Sequence, residues 1–344
     1  MMKCRQITTF CADGEAIVKE QVLPVTREAD EPVHLESGVI NLYPEITYQE
    51  IEGFGCAITE TSAYLLSGME EAARRDILQK FFGKDGSQFH FIRTHIDSCD
   101  YSLEEYQAVK DPLQDPELLT FSLERDRKYI LPVLKEALDI SRESENGEMA
   151  VLLSPWSPPY QWKTPPARPK NDAGVYGGPG HEMKVDYTTP SRNNGGSLKP
   201  EYYGPWAKYL VKYIQAYLDE GVPVTMLTMQ NESIAATNWD SCVWTAEEQK
   251  TFLKEFLYPE MKRAGLAEKV GIYIWDHNKE RVLEWALDMI DAETAEMIQG
   301  IAFHWYSGDH FEAVQMTHEK FPDKVLMLSE CCGLHAPGQG SFWE

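Results

Sequence analysis

Two glutamates stand where a carboxylate could do chemistry. Glu232 closes the stretch 224–232, whose Thr225–Met229 run is buried-strand material, and Glu330 closes 324–330 after Val325-Leu326-Met327-Leu328. At the C-terminal end of a buried parallel strand, a side chain projects toward the face where barrel enzymes keep their active sites. Two such carboxylates on one barrel would converge on one cleft. Glycoside hydrolysis needs that pair: one carboxyl protonates the leaving oxygen, and the other attacks the anomeric carbon or activates water. A gap of about 5–5.5 Å gives retention and about 6.5–9.5 Å inversion, and sequence does not supply the distance. The rival readings are a polar surface pair at Asn231-Glu232 and a helix-starting acid at Glu330, steadied by the helix dipole.

Aromatic residues cluster near the same strand ends. Trp156 ends a strand candidate, Trp305-Tyr306 follow another, and Trp239 and Trp244 trail Glu232. Flat apolar rings suit the C–H faces of sugars, and for Trp156 and Tyr306 that use outweighs core packing. Tyr209, Tyr213 and Tyr217 recur every four residues, the spacing of a helix's buried face, and are read as core. The nine histidines show no HExxH and no third ligand at a recognisable spacing, so no metal site is expected. No GxSxG elbow supports a serine nucleophile.

The elements that must position these residues alternate. Strand candidates are 51–57, 90–96, 150–156, 224–232, 270–275, 300–306 and 324–330. Helix candidates between them are 69–82, 123–141, 200–220, 246–264 and 279–290. Near-continuous apolar strands separated by helices mean a parallel sheet buried on both faces. The expected fold is therefore α/β, a (β/α)8 TIM-type barrel with seven of its eight units visible. An open doubly wound sheet would want a Gly-rich phosphate loop, which is absent. Residues 1–50, with alternating stretches at 8–25 and 33–48, are expected to be strands of an accessory β-sandwich, and 51–344 the catalytic barrel lacking its last unit. The Pro-, Gly- and Asn-rich segment 163–197 is expected to be a long loop at the catalytic face, either functional or a surface insertion.

The chain of 344 residues carries a net charge of −23, which disfavours nucleic acid and anionic membranes as partners. Seven cysteines without a CxxC pair, and a start without an apolar leader, fit a reducing, cytoplasmic location, and no stretch is long and apolar enough to insert in a bilayer. Oligomeric state is not legible.

At these residues the sequence resembles glycoside hydrolase family 30, the group that includes glucosylceramidase. The resemblance rests on GFGCAITE (53–60), RTHIDSCDYS (93–102), SPWSPP (154–159), GGSLKPEYY (195–203), QNES (230–233), WDHN (275–278), FHWY (303–306) and LSECC (328–332). It implies Glu232 as acid/base and Glu330 as nucleophile. It places Asn231, Trp156 and Tyr306 in the glycone pocket and Arg93 near the catalytic centre, with Trp239 and His304 as further candidate substrate contacts. Glu60 takes the place of an aspartate expected to hold sugar hydroxyls, one methylene longer, which unsettles glucose specificity. No cofactor is implied. The family pattern continues past an eighth strand, so the chain is expected to be truncated. The main expectation is a retaining β-glycosidase acting on a β-glycoside or oligosaccharide: glucosyl lipids, β-1,6-glucans, β-xylosides or fucosides. The alternative is a non-catalytic carbohydrate-binding remnant or inactive hydrolase, and an unrelated phosphate-binding barrel is least favoured. The acid role predicts a Glu232 carboxyl raised by Glu330 from about 4.3 to roughly 6.

Overall fold

A computed structural model describes residues 3–12, 15–24, 43–142, 148–164, 193–237 and 239–333. These fall into two units, one with the N-terminal residues to Glu52 and one spanning Gly53 to Cys332. In the first, β1 (Lys3–Ala12) and β2 (Glu15–Pro24) pair antiparallel, Lys3 opposite Pro24 and Ala12 opposite Glu15. The stretch expected as extended at 33–48 lies partly outside the described residues, and its described part, 43–48, forms no strand.

The second unit is a seven-stranded parallel sheet in strictly sequential order: β3 (Gly55–Ala57), β4 (Phe91–Ile96), β5 (Ala150–Pro155), β6 (Val224–Thr228), β7 (Gly271–Asn278), β8 (Gly300–His304) and β9 (Val325–Glu330). Sequential parallel order with a helix after each strand is the TIM-type barrel pattern. β4 to β8 are largely buried, whereas β3 and β9, at the two sides of the sheet, are partly exposed. Leu152, Met226, Tyr273 and Ala302 form a packed layer of their own. Gly300 is required there, because a Cβ would sit 2.3 Å from the Tyr273 ring.

Helices α1 (Glu60–Ser67), α2 (Glu71–Phe82), α3 (Glu124–Lys128), α4 (Ile130–Ser141), α5 (Tyr203–Asp219), α6 (Ala246–Phe252), α7 (Tyr258–Arg263), α8 (Val282–Met289) and α9 (Phe311–Lys320) connect the strands. The expected 123–141 helix is broken at Tyr129, where φ is −134°. The expected 246–264 helix runs through a π turn at Leu253–Leu257. Pro259 has no N–H to donate one turn back, and the wider turn just before it accommodates that loss. α1 and α9 were not expected; α1 starts from a capping box in which Thr59 and Ser62 hold each other's backbone N–H. The 163–197 loop lies mostly outside the described residues, but its ends meet at an antiparallel bridge between Lys163 and Leu198. The buried Lys163 ammonium donates to the carbonyls of Asn193, Gly195 and Ser241.

α5 buries the face that its tyrosine spacing predicts. The Tyr209 hydroxyl donates to both Asp97 oxygens, at 2.8 and 2.6 Å. Tyr213 and Tyr217 donate to Asp126 Oδ1 at 2.8 and 2.7 Å. Among the described residues no helix is long and apolar enough to cross a membrane.

Candidate active site

The strand ends converge on one arginine. Arg93, on β4 and nearly buried, donates through Nε to Ser154 (3.1 Å), through Nη1 to Glu330 (2.5 Å) and through Nη2 to Asn231 (2.8 Å) and Asp276 (2.9 Å). Its guanidinium also lies 4.7 Å from the Trp156 ring centre. One planar fork thus ties together β4, β5, β7, β9 and the turn after β6, using the fixed donor geometry that lysine lacks.

Backbone irregularities aim the remaining groups. The expected strand 224–232 ends at Thr228, and Glu232 lies on the following turn with φ +51°. Its N–H donates to the Asp276 carbonyl at 2.8 Å. On β7 the register slips between Trp275 and His277, and Trp275 and Asp276 have φ of +74° and +51°. Positive φ in non-glycine residues is strained and clusters at functional sites, and a bulge re-aims a side chain. Asp276 consequently accepts from both Arg93 and Ser329, the latter at 2.6 Å, and faces His304 Nε2 at 3.0 Å.

Glu232 faces two imidazoles: His277 Nδ1 and His304 Nδ1 each lie 3.5 Å from its Oε1. His304 Nδ1 is also 4.0 Å from Glu330 Oε1, so the two glutamate oxygens are no farther apart than the sum of those two distances. That bound, on one pair of oxygens, admits the ~5–5.5 Å carboxyl spacing of retaining enzymes. Tyr306 donates to Glu330 Oε1 at 2.9 Å and accepts from the Cys332 N–H at 3.0 Å.

Charge follows these partners. Burial alone would push the Glu232 carboxyl up, but the two imidazoles outweigh it and hold it at about 2. The raised value expected from Glu330 alone is corrected, because that expectation left out His277 and His304. Burial disfavours a charged His304, yet Asp276, Glu232 and Glu330 raise it to about 9, so the proton sits on the ring. Despite burial, Arg93 and His304 keep Asp276 well below the usual carboxylate range.

Not every expected residue joins this cluster. Glu60 is fully buried at the start of α1, and Arg125 and the Leu103 N–H (2.8 Å) take both its carboxylate oxygens. In this structure its carboxylate is engaged by the protein itself, in an ion pair with Arg125. Trp239 is half-buried on the segment after Glu232, where its carbonyl accepts from Thr237 (3.2 Å) and Ser241 (3.1 Å). Trp156 is only 6% exposed and supports Arg93 from below, while Tyr306 keeps 37% of its surface open. His304 is completely buried, with its Nδ1 turned toward the two glutamates.

Three residues were missed. Asp276 obeys the rule that found Glu232 and Glu330, a carboxylate at the end of an apolar strand. His277 follows it in the same motif. Asp100, within RTHIDSCDYS, has a carboxyl that burial, Glu330 and Glu232 together raise to about 7, and its Oδ1 finds no hydrogen-bond partner among the described residues.

Residues 51–340 match the glycosyl hydrolase family 30 TIM-barrel domain. Mouse lysosomal acid glucosylceramidase is 29% identical, over 89% of this chain and 55% of its own length. Among solved structures, SrfJ from Salmonella typhimurium superimposes with a TM-score of 0.82 at 31% identity, covering 99% of this chain and 68% of that one. An endo-beta1,6-glucanase superimposes with 0.68 at 33% identity, covering 83% and 58%. The chain spans about half the length of the curated relatives it matches. With residues 51–340 matching the family's barrel domain and the strand ends gathered on Arg93, Glu232 and Glu330, this chain belongs to glycosyl hydrolase family 30.

Proposed function

We propose that this chain is the catalytic barrel of a retaining β-glycoside hydrolase, with Glu330 as nucleophile and Glu232 as acid/base. The observation that carries this is the placement of both glutamates within reach of one buried histidine nitrogen. Their environments differ: Arg93 and Tyr306 engage Glu330, whereas Glu232 faces imidazoles. A Glu330 oxygen attacks the anomeric carbon, the glycosidic C–O bond breaks, and the leaving oxygen takes its electron pair and the proton of Glu232. In the resting site that proton is stored on His304, whose Nδ1 faces Glu232, and it passes to the carboxylate as the leaving oxygen develops charge. Water then attacks the glycosyl ester and gives its proton to Glu232, and Glu330 leaves as carboxylate. Arg93 and Tyr306 fix the nucleophile's orientation, and the unpartnered Asp100 oxygen is suited to hold a sugar hydroxyl.

The substrate class is a β-glucoside. The glucosylceramidase and endo-beta1,6-glucanase among the similar proteins both support a glucosyl glycone, and the acidic chain suits a neutral sugar. The test is hydrolysis of aryl β-glucoside, xyloside, galactoside and fucoside, with product stereochemistry followed by NMR. Wild type, Glu232→Gln and Glu330→Gln are compared, with circular dichroism confirming the fold. Retained configuration and loss of turnover in both variants are expected. Undiminished hydrolysis by a folded Glu330→Gln protein sinks the proposal, and binding without turnover by wild type would favour a carbohydrate-binding role.

A further inference from the structure

We propose that Glu232, His277 and His304 form a site for one borderline-soft divalent cation, of the Zn²⁺ or Co²⁺ class, whose occupancy closes the acid/base position. Each residue offers one ligand atom once the cation displaces the His304 ring proton, and the three atoms lie within 4.8 Å of one another. Tetrahedral zinc with bonds of about 2.0–2.1 Å holds its ligand atoms roughly 3.4 Å apart. Both imidazole-to-Glu232 spacings are 3.5 Å, so two edges of that tetrahedron are already set and only the edge between the histidines has to close.

Independent observations point to a ligand. The Nδ1 atoms of His277 and His304 are buried and find no hydrogen-bond partner among the described residues, and the His304 side chain is wholly inaccessible. The other His304 nitrogen faces Asp276 Oδ1 at 3.0 Å. A carboxylate behind a histidine in this way fixes ring orientation in metal sites. His277 packs on Trp275, ring centres 5.2 Å apart, which limits its rotation. Glu330 Oε1, 4.0 Å from His304 Nδ1, marks the side on which a fourth ligand or water would complete the shell. Two imidazoles and one carboxylate select zinc, cobalt or copper over magnesium or calcium. The chain's net charge of −23 enriches cations around it.

Cation binding does not depend on the glycosidase reading, whereas inhibition does, because a cation on Glu232 removes the carboxylate that serves the leaving oxygen. The test therefore reads binding first. The full chain is titrated with CoCl₂ and followed by visible spectroscopy, and with ZnCl₂ by calorimetry. One equivalent of tetrahedral cobalt is expected, without the near-ultraviolet thiolate charge-transfer band that Cys331 and Cys332 would produce. His277→Ala should weaken binding at least ~10-fold, as loss of a ligand must do no less than loss of an outer partner. The exposed-site control His318→Ala should bind as wild type. No stoichiometric binding, a thiolate band, or full affinity in a folded His277→Ala protein overturns the site. Cobalt bound at that site without slowing hydrolysis of an active enzyme would overturn its inhibitory role.

Discussion

Asp276 and Asp126 are both almost wholly buried, yet their carboxyls move in opposite directions. At the barrel mouth, Asp276 meets the full charges of Arg93 and His304 and stays ionised despite burial. Behind it, Asp126 receives the neutral hydroxyls of Tyr217 and Tyr213 and its own backbone N–H, and burial prevails, pushing it up to about 6. Asp97, held by Tyr209 and the Ala108 N–H, goes to about 8. Depth is the same in both groups, and the partner decides the outcome. The mouth concentrates charge where it can act on a reacting bond, and the α5 network hides charge where only packing is needed.

The sharpest way to break this comparison is to neutralise one carboxylate in each group. Glu232→Gln should lower turnover about 10²–10⁴-fold, the usual contribution of a general acid/base, most strongly for aryl glycosides with poor leaving groups. Asp126→Asn, which keeps an oxygen acceptor for both tyrosines, should leave kcat within about twofold in a folded protein, well short of a general acid/base loss. Comparable losses in the two variants would show that the α5 network is part of the chemistry.

Next in size is the removal of the cation. Arg93→Met leaves Asp276 and Glu330 without their shared partner, and breaking a buried pair from one side costs about 3–5 kcal/mol. Urea unfolding measures it. A loss below 1 kcal/mol would mean that His304 alone can hold the carboxylates together.

How much of this contrast was legible depends on whether a signal is local. Strands announce themselves by apolar runs, so all seven were placed, and the tyrosines of α5 by their spacing. Glu232 and Glu330 were visible because each caps such a run. Asp276 caps one too, but a bulge and two positive-φ residues redirect it, and backbone strain leaves no trace in residue order. The histidines facing Glu232 come from β7 and β8, 27 positions apart, and only the parallel register brings Asn278 opposite His304. The ion pair of Glu60 was hidden for the same reason: its partner Arg125 lies on α3, far along the chain.

Acidity separates the groups further. The folded Asp126 carboxyl keeps its proton to about 6, and an unfolded one releases it near 3.9. Between those values the folded state holds the extra proton, so this residue's contribution is full below the lower value and is lost as pH rises through the upper. Asp126→Asn should therefore gain on wild type between pH 4 and 7, by at most about 3 kcal/mol. Urea midpoints across that range measure the gain, and parallel curves would place an ionised aspartate in the network.

The smallest effects offer the most even comparison, because one hydroxyl is removed from a carboxylate in each group. Tyr217→Phe deprives buried Asp126 of one of its two hydroxyl donors and should cost about 0.5–1.5 kcal/mol of stability, with kcat unchanged. Tyr306→Phe takes the donor from Glu330 Oε1 on a ring that is 37% exposed, where water can replace the lost bond. Its stability should change by less than about 0.5 kcal/mol. Its kcat/KM should fall roughly tenfold, the rate equivalent of one lost hydrogen bond in the transition state. If instead Tyr306→Phe loses stability and keeps its rate, the Tyr306–Glu330 bond is scaffold like the tyrosine network, and the boundary between the two groups must move to Arg93.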